Sequence, residues 1–197
     1  MKRGLILLVG GAVLSLAVVL VVRAKSGQGK QYQPGDVVDG RHSNIATHEY
    51  HLVTNQEQWR VVWTRHRVTS DAGQADGALP DVDFSRHMVV AILLGDISQC
   101  TGITVQGTAY KKTDDHLDIR YRPDWYSAEY ESEEDLERNP EKYRREHAAT
   151  PFGFIVVRRA AKVSIFEDVQ TLRGADPKYE LQAELSKDSP VFRPGPR

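Results

Sequence analysis

Cys100 is the only thiol in this 197-residue chain, so it is the first residue to consider for covalent chemistry. A nucleophilic cysteine needs a lowered pKa, which a helix N-terminus or a neighbouring histidine can supply. The stretch around it, GDISQCTGITVQ, joins an apolar run to an alternating run, and neither flank has the pattern of a helix start. His87 and His116 lie at the far ends of the strands that these runs predict. We therefore predict no catalytic residue and interpret Cys100 as part of a turn; a hydrolase that uses Cys100 is the alternative.

Three histidines, His42, His48 and His51, lie close to Glu49 and could be considered as metal ligands. In HEYH the histidines are three residues apart, whereas the helical zinc motif needs them four apart to share a face. On a strand, His48 and His51 would point to opposite faces. A single cysteine also excludes an intrachain disulfide and the multi-cysteine zinc or iron–sulfur sites. We predict no metal site and no cofactor.

The N-terminus carries a long apolar run. Residues 4–22, GLILLVGGAVLSLAVVLVV, are 19 residues without a charge. As a helix they would span about 28 Å, close to the ~30 Å of a bilayer core. We therefore predict a transmembrane helix within a membrane anchor over residues 1–24, with the C-terminal part outside the cytoplasm. A cleaved signal peptide, which would give a secreted protein, is the alternative.

The elements of the remaining chain follow from hydrophobic periodicity. Residues 25–45 are polar and glycine-containing, and they predict a linker. In TNQEQWRVVWTRH, Thr54 and Glu57 have the spacing of a capping box, which marks a helix start. Trp59 and Trp63 share one face of this helix, so we expect both to be buried. His66 then lies near the helix C-terminus, where it would interact with the helix dipole.

Strand patterns occupy most of the domain that we place at residues 46–186. Strands are predicted over 49–53, 88–94, 102–110, 116–122, 153–159 and 162–169. The run 88–94 is apolar throughout, as in a strand buried on both faces, whereas 179–185 fits an edge strand or a helix. The fold class is α+β: a mostly antiparallel sheet or small sandwich with one packed amphipathic helix. Residues 187–197 are proline-rich and predict a disordered tail.

Residues 123–149 interrupt the strand pattern with a run of acidic and then basic residues. Pro140 divides this charged insert, so we expect two short helical pieces. The insert is interpreted as a solvated excursion between strands, with a partner-binding arm as the alternative. The whole chain has a formal net charge of −1 and lacks the basic excess typical of nucleic-acid-binding proteins.

Two stretches carry a resemblance to a known family: DVDFSRHMVVAILLGDISQCTGITVQG and, some 45 residues later, ATPFGFIVVRR. Asp83-Phe84, the apolar strand that ends at Gly95, Thr101-Gly102 and Thr150-Pro151 occur in the order found in the C-terminal domain of the PrcB family. Members of that family are non-catalytic subunits of a bacterial surface protease complex. The resemblance covers roughly residues 45 to 170. It implies an extracytoplasmic α+β domain and a protein partner.

The expected function is a non-catalytic binding or adaptor module that associates with an envelope protein, a protease being one candidate. The alternatives are the Cys100 hydrolase and a structural envelope domain without a ligand. Because loops carry function more often than strands do, we predict that the contact surface uses the turn, the threonine-proline pair and the tyrosines of the insert. These residues are Thr101, Gly102, Thr150, Pro151, Tyr126 and Tyr130.

Overall fold

A computed structural model of the chain describes residues 31–67, 79–126, 137–138, 140, 148–170 and 175–188. The elements in chain order are β1 (Gln31–Tyr32), β2 (Val37–Gly40), β3 (His48–Val53), α1 (Gln56–His66), β4 (Asp81–Val82), β5 (His87–Leu94), β6 (Ile97–Ser98), β7 (Cys100–Lys111), β8 (His116–Trp125), β9 (Ala148–Ala149), β10 (Phe152–Arg158), β11 (Lys162–Asp168) and β12 (Tyr179–Ser186). The expectation of mostly antiparallel sheets with a packed helix is confirmed.

Two four-stranded sheets form the body of the domain. The first sheet has the order β2-β10-β5-β3 and the second has the order β12-β11-β8-β7. All pairings within them are antiparallel except that of β8 with β11, which is parallel. Their facing side chains form one buried cluster, which we call the inter-sheet cluster. The two sheets therefore pack as a sandwich.

Strand β5 lies inside the first sheet and is buried along its whole length, as the apolar run predicts. Alternate side chains of a strand point to opposite faces. Met88, Val90 and Ile92 accordingly join the inter-sheet cluster. Val89 and Leu93 join a second buried cluster beneath α1, which we call the helix-side cluster. The domain thus has three layers: helix, first sheet and second sheet.

Helix α1 begins one residue later than the predicted capping box requires. Its N-cap is Asn55, whose side chain accepts a hydrogen bond from the backbone N–H of Gln58 at 2.9 Å. The Gln58 side chain in turn accepts a hydrogen bond from the Thr54 N–H at 2.8 Å. The prediction of Thr54 and Glu57 as the capping pair was wrong. Asparagine caps a helix at least as well as threonine does, and glutamine can replace glutamate as the acceptor of a backbone N–H at the helix start.

The buried face of α1 is confirmed. Trp59, Trp63 and His66 are buried and form an aromatic group with Phe152 and Phe154 of β10. The ring centroids of Trp59 and Phe154 lie 5.1 Å apart in an edge-to-face arrangement, a favoured geometry for aromatic pairs. His66 lies against Phe152 with its ring centroid 4.0 Å away. The helix is therefore held on the first sheet by its aromatic face.

The linker prediction is wrong over residues 31–45. Strand β2 forms the edge of the first sheet and pairs with β10 from Val37↔Ile155 to Gly40↔Phe152. The polar, glycine-containing composition of this segment concealed its half-buried valines, which pack on the clusters of the sandwich. The domain therefore begins before residue 46. Residues 25–30 of the predicted linker lie outside the described residues.

The charged insert is shorter than predicted, because β8 continues to Trp125 and Ala148–Ala149 form β9. Pro123 fits into β8 where the pairing with β7 is irregular, a position that tolerates proline in a sheet. Residues 137, 138 and 140 are helical, and the rest of 127–147 lies outside the described residues. The segment 179–185 is an edge strand, β12.

The predicted membrane anchor, residues 1–24, lies outside the described residues, as does the part of the predicted tail from residue 189 onward. Within the described part of the chain, no helix has the length and apolar character needed to cross a bilayer.

Candidate functional site: one end of the sandwich

Most of the predicted contact residues meet at one end of the sandwich. Strand β2 ends there at Gly40 and β8 ends there at Trp125, while β7 and β10 begin there. The connection after β2 and the start of β10 are joined by a hydrogen bond of 3.0 Å from the Thr150 N–H to the Arg41 carbonyl. We call this surface, made of Arg41, Thr101, Trp125, Tyr126 and Thr150, the Trp125 end. Tyr130 lies outside the described residues.

Arg41 links two of the predicted segments. Its guanidinium donates a hydrogen bond to the Tyr126 hydroxyl over 3.2 Å and lies 5.7 Å from the centre of that ring. Thr150 holds Ser43, two residues after Arg41, with two hydrogen bonds. Its hydroxyl donates to the Ser43 carbonyl at 2.6 Å and accepts from the Ser43 N–H at 2.7 Å. Ser43 also contacts His66 of α1 through its hydroxyl, at 3.1 Å from the imidazole Nδ1. The end is therefore tied to the rest of the fold.

Gly102 and Pro151 are buried and cannot form much of a contact surface. A Cβ atom at Gly102 would lie 3.3 Å from the Asp39 carboxylate, tighter than most Cβ contacts, so β7 passes close to β2 there. The Pro151 carbonyl accepts a hydrogen bond of 2.9 Å from the Leu94 N–H. These two residues position the strands. Thr101 is exposed and Tyr126 is partly exposed, so they remain as contact candidates.

Trp125 is the feature of this end that the sequence analysis missed. Its residue is 59 % exposed, whereas Trp59 and Trp63 are buried. In β8 the side chains of Leu117, Ile119 and Tyr121 face the inter-sheet cluster. Trp125 continues this alternation in sequence, but it is exposed, although its cross-strand partner Cys100 is buried in that cluster. The sequence signal that could have identified it is an aromatic pair, Trp125-Tyr126, at the border of a charged segment.

Asp124 fastens the strand beneath Trp125 to the start of β7. The Thr104 hydroxyl donates to the Asp124 carboxylate at 2.8 Å, and the Thr101 hydroxyl donates to the Asp124 carbonyl at 3.2 Å. Trp125 itself is paired with Cys100 across the two strands. The exposed indole is thus carried by a hydrogen-bonded base, the paired strands β7 and β8.

Cys100 has the environment of a structural thiol. It is fully buried, and its Sγ donates to the Gly102 carbonyl across 3.2 Å. Burial raises the pKa of the Cys100 thiol, and backbone hydrogen bonds oppose this only in part. A raised pKa leaves little thiolate at neutral pH, and thiolate is the nucleophilic form. The geometry gives no support to a hydrolase that uses Cys100.

The histidines of HEYH are divided between the two faces of β3, as predicted. His51 is fully buried beneath α1, where its Nε2 lies 2.8 Å from the Glu49 carboxylate, which Arg65 also contacts at 3.3 Å. Burial lowers the pKa of His51. His48 lies on the opposite face, 2.7 Å from the Tyr50 hydroxyl. Among the described residues, no group of three or more acidic, histidine or cysteine side chains is arranged to hold a metal ion.

A cavity of about 460 Å³ opens at the other end of the second sheet, lined by His116, Lys162, Ser164 and Glu184 among others. His116 Nε2 lies 2.8 Å from the Ser164 hydroxyl but also 3.3 Å from Asp118 Oδ1. In a serine–histidine–aspartate triad the serine and the aspartate bind different ring nitrogens. Here Ser164 and Asp118 both lie near the same ring nitrogen, Nε2. This group therefore lacks the geometry of a triad.

Comparisons of the chain with models of protein families, with curated proteins and with solved structures find no match.

Proposed function

We propose that this domain is a non-catalytic binding module of the cell envelope, and that it associates with another envelope protein through the Trp125 end. The single observation that carries the proposal is the exposure of Trp125, 59 %, on a hydrogen-bonded base. Tryptophan, tyrosine and arginine are enriched at the energetic centres of protein interfaces. The Trp125 end brings one of each together: Trp125, Tyr126 and Arg41.

The order of this end supports a binding role, because a contact surface that is already fixed loses less conformational entropy when a partner binds. Arg41 is held by Tyr126 and by Thr150, and Asp124 holds the strand under the indole. The buried residues Gly102 and Pro151 contribute by positioning the strands. The contact atoms would come from Trp125, Thr101 and the exposed parts of Tyr126 and Arg41.

The location and the partner class rest on sequence. The apolar run at residues 4–22 supports a membrane anchor, and the resemblance to the PrcB family favours a protease as the partner. A structural envelope domain without a partner is the second candidate. The Cys100 hydrolase is disfavoured, since its thiol is buried and the pKa of that thiol is raised.

The test is a pull-down from detergent-solubilised membranes with the full chain and with the Trp125→Ala variant. Removing an interface tryptophan of this kind costs about 2 kcal/mol or more, so we expect the affinity for the partner to fall by about 30-fold or more, and partner recovery to fall with it. The matched control is Leu181→Ala, which truncates another large exposed side chain, 51 % exposed on β12. Equal recovery with Trp125→Ala and wild type would contradict the proposal, whereas equal loss with both variants would point to a nonspecific apolar contact.

A further inference from the structure

Four titratable side chains form a continuous hydrogen-bonded chain between the two sheets. His48 Nε2 lies 2.7 Å from the Tyr50 hydroxyl, which lies 2.8 Å from the Tyr121 hydroxyl. Tyr121 donates to the Glu167 carboxylate over 2.8 Å. His48 and Tyr50 belong to β3 of the first sheet, whereas Tyr121 and Glu167 belong to β8 and β11 of the second sheet. Both phenols are buried, and both ends of the chain are partly exposed.

The number of protons gives this chain a direction. Each phenol has one proton to donate. When Glu167 is ionised, it accepts from Tyr121, so the Tyr121 oxygen accepts from Tyr50. The Tyr50 oxygen then accepts from His48, whose Nε2 must carry a proton. All three hydrogen bonds therefore point from His48 towards Glu167, and a neutral Glu167 that donates its own proton would reverse all three.

We propose that these side chains form a two-state proton relay in which His48 and Glu167 share one proton through Tyr50 and Tyr121. In the forward step, doubly protonated His48 passes its Nε2 proton to the Tyr50 oxygen. Tyr50 passes its hydroxyl proton to Tyr121, and Tyr121 passes its own to Glu167. The products are neutral His48 protonated on Nδ1, two neutral tyrosines and a neutral Glu167. One positive and one negative charge are cancelled, and only O–H and N–H bonds change.

The surroundings favour the neutral products. Burial lowers the pKa of His48. Burial is also the main cause that raises the pKa of Glu167, which the Tyr121 hydrogen bond opposes and the Glu180 charge reinforces. Burial raises the pKa of Tyr50 as well, so a free tyrosinate is disfavoured and the protons must move together.

Groups from every strand around Glu167 enter this balance. Tyr50 and His48 face Glu167 from β3, Tyr121 from β8 and Glu180 from β12. Burial and, to a smaller extent, the Glu167 charge raise the pKa of Cys100 in β7. Among these groups His48 is the one that can be cationic. A proton taken up by these four side chains can therefore be held at His48 or at Glu167, and its position determines the tautomer of His48. The relay does not depend on the proposed binding function.

The test is a pH titration of the full-length protein in a mild detergent. NMR detects both His48 ring nitrogens and the Glu167 carboxyl carbon. In the wild type, we expect the first proton uptake to shift both groups with one midpoint and to leave His48 Nε2 unprotonated. In Tyr121→Phe, the relay is cut, so the two groups should titrate separately, about one pH unit or more apart, a tenfold difference in proton affinity. His48 should then become protonated on both nitrogens.

Two controls keep the test decisive. Tyr110→Phe removes a phenol that lies outside the hydrogen-bonded relay and donates to Asp115 at 2.7 Å. In this variant His48 and Glu167 should titrate as in the wild type. If Tyr121→Phe does not fold, Tyr50→Phe serves instead, because it cuts the same hydrogen-bonded chain at the neighbouring phenol, and His48 and Glu167 should again titrate separately. A wild-type His48 that gains a second proton while Glu167 stays ionised overturns the relay. A shared midpoint that survives in Tyr121→Phe or in Tyr50→Phe also overturns it.

Discussion

The two faces of the first sheet bury different kinds of side chain. The helix-side cluster includes four aromatic side chains among its aliphatic ones, with the two tryptophans of α1 packed on Phe152 and Phe154. The inter-sheet cluster is largely aliphatic, apart from the tyrosines Tyr50 and Tyr121. The first cluster packs α1 on the first sheet, and the second joins the facing sides of the two sheets. The apolar face of α1 follows from its local sequence pattern, whereas the contact between the two sheets depends on strand register and tertiary packing.

The carboxylates near the two clusters differ as well. Glu49 lies under α1, where burial raises its pKa, but hydrogen bonds from Thr47, Arg65 and His51 together lower it below the ordinary value. Glu167 lies between the sheets, where burial keeps its pKa above the ordinary value. The helix side thus stabilises an ionised carboxylate, whereas the inter-sheet side favours a neutral one.

The largest expected effect is on the helix side. Trp59→Ala should lower the free energy of unfolding by about 3–5 kcal/mol, because it empties a fully packed aromatic site. The milder substitution Trp59→Phe would leave the Pro80 carbonyl without the indole hydrogen bond of 2.9 Å. Trp63→Phe should cost less, since among the described residues Trp63 Nε1 is buried without a hydrogen-bond partner. Urea unfolding measures all three; a loss below about 1 kcal/mol for Trp59→Ala would mean that α1 is not docked as described.

On the inter-sheet side, Gly153→Ala should lower the free energy of unfolding by about 1–3 kcal/mol through overpacking. A Cβ atom at Gly153 would lie 2.6 Å from Ile103 Cγ1, so the two sheets would have to move apart or Ile103 would have to change rotamer. The matched control is Gly107→Ala in β7, where a Cβ atom meets nothing within 4 Å. Thermal unfolding should separate the two variants, and equal midpoints would contradict the close approach of the sheets.

The pH dependence of stability should have opposite signs for the two carboxylates. The lowered pKa of Glu49 gives stability above its unfolded pKa of about 4.5, and this is lost as the pH falls through the folded value. The raised pKa of Glu167 gives stability below about 4.5, and this is lost as the pH rises through the folded value. Each contributes a slope of at most about 1.4 kcal/mol per pH unit.

Urea unfolding at a series of pH values between 3 and 7 tests these signs with isosteric variants. Glu49→Gln should flatten the loss of stability towards acid, and Glu167→Gln should flatten the loss as the pH rises above about 4.5. The same sign for both variants would contradict the difference between the two faces.

The smallest expected effect is that of Cys100→Ser. The serine hydroxyl can donate to the Gly102 carbonyl as the thiol does, so the free energy of unfolding should change by about 1 kcal/mol or less. Partner recovery should be unchanged. In the wild type, alkylation of Cys100 should be slower than that of a free cysteine at pH 7, because burial raises its pKa. Fast alkylation, or an activity that disappears in Cys100→Ser, would revive the hydrolase alternative.

The sequence predicts much of the fold where a local pattern is strong. The apolar run of β5, the aromatic face of α1 and the alternation of β8 from Leu117 to Tyr121 are found where the periodicity places them. In β7 the alternation shifts after an irregularity between Val105 and Gly107, so that Tyr110 rather than Ala109 packs on the inter-sheet cluster. Strand β2 was missed because glycine and polar residues surround its two valines. The capping pair was misplaced by one residue because several side chains near Thr54 can cap a helix.

The candidate site was only partly predictable. Thr101, Thr150 and Tyr126 do meet at one end, but Gly102 and Pro151 are buried there. The alternation of β8 alone would have placed Trp125 inside, yet its side chain is exposed. The proton relay was also out of reach, because Tyr50 and Tyr121 are 71 residues apart and meet only through the packing of the two sheets.

The proposal that the Trp125 end is a contact surface is tested most directly by site-specific photo-crosslinking in membranes. A photoreactive aromatic residue is placed at position 125 of the full chain and, as a control, at Val61 on the solvent side of α1, which is 42 % exposed. We predict a crosslinked adduct with a partner protein from position 125 and none from position 61. An adduct from position 61 alone, or partner recovery without any adduct at position 125, would contradict the Trp125 end as the binding surface.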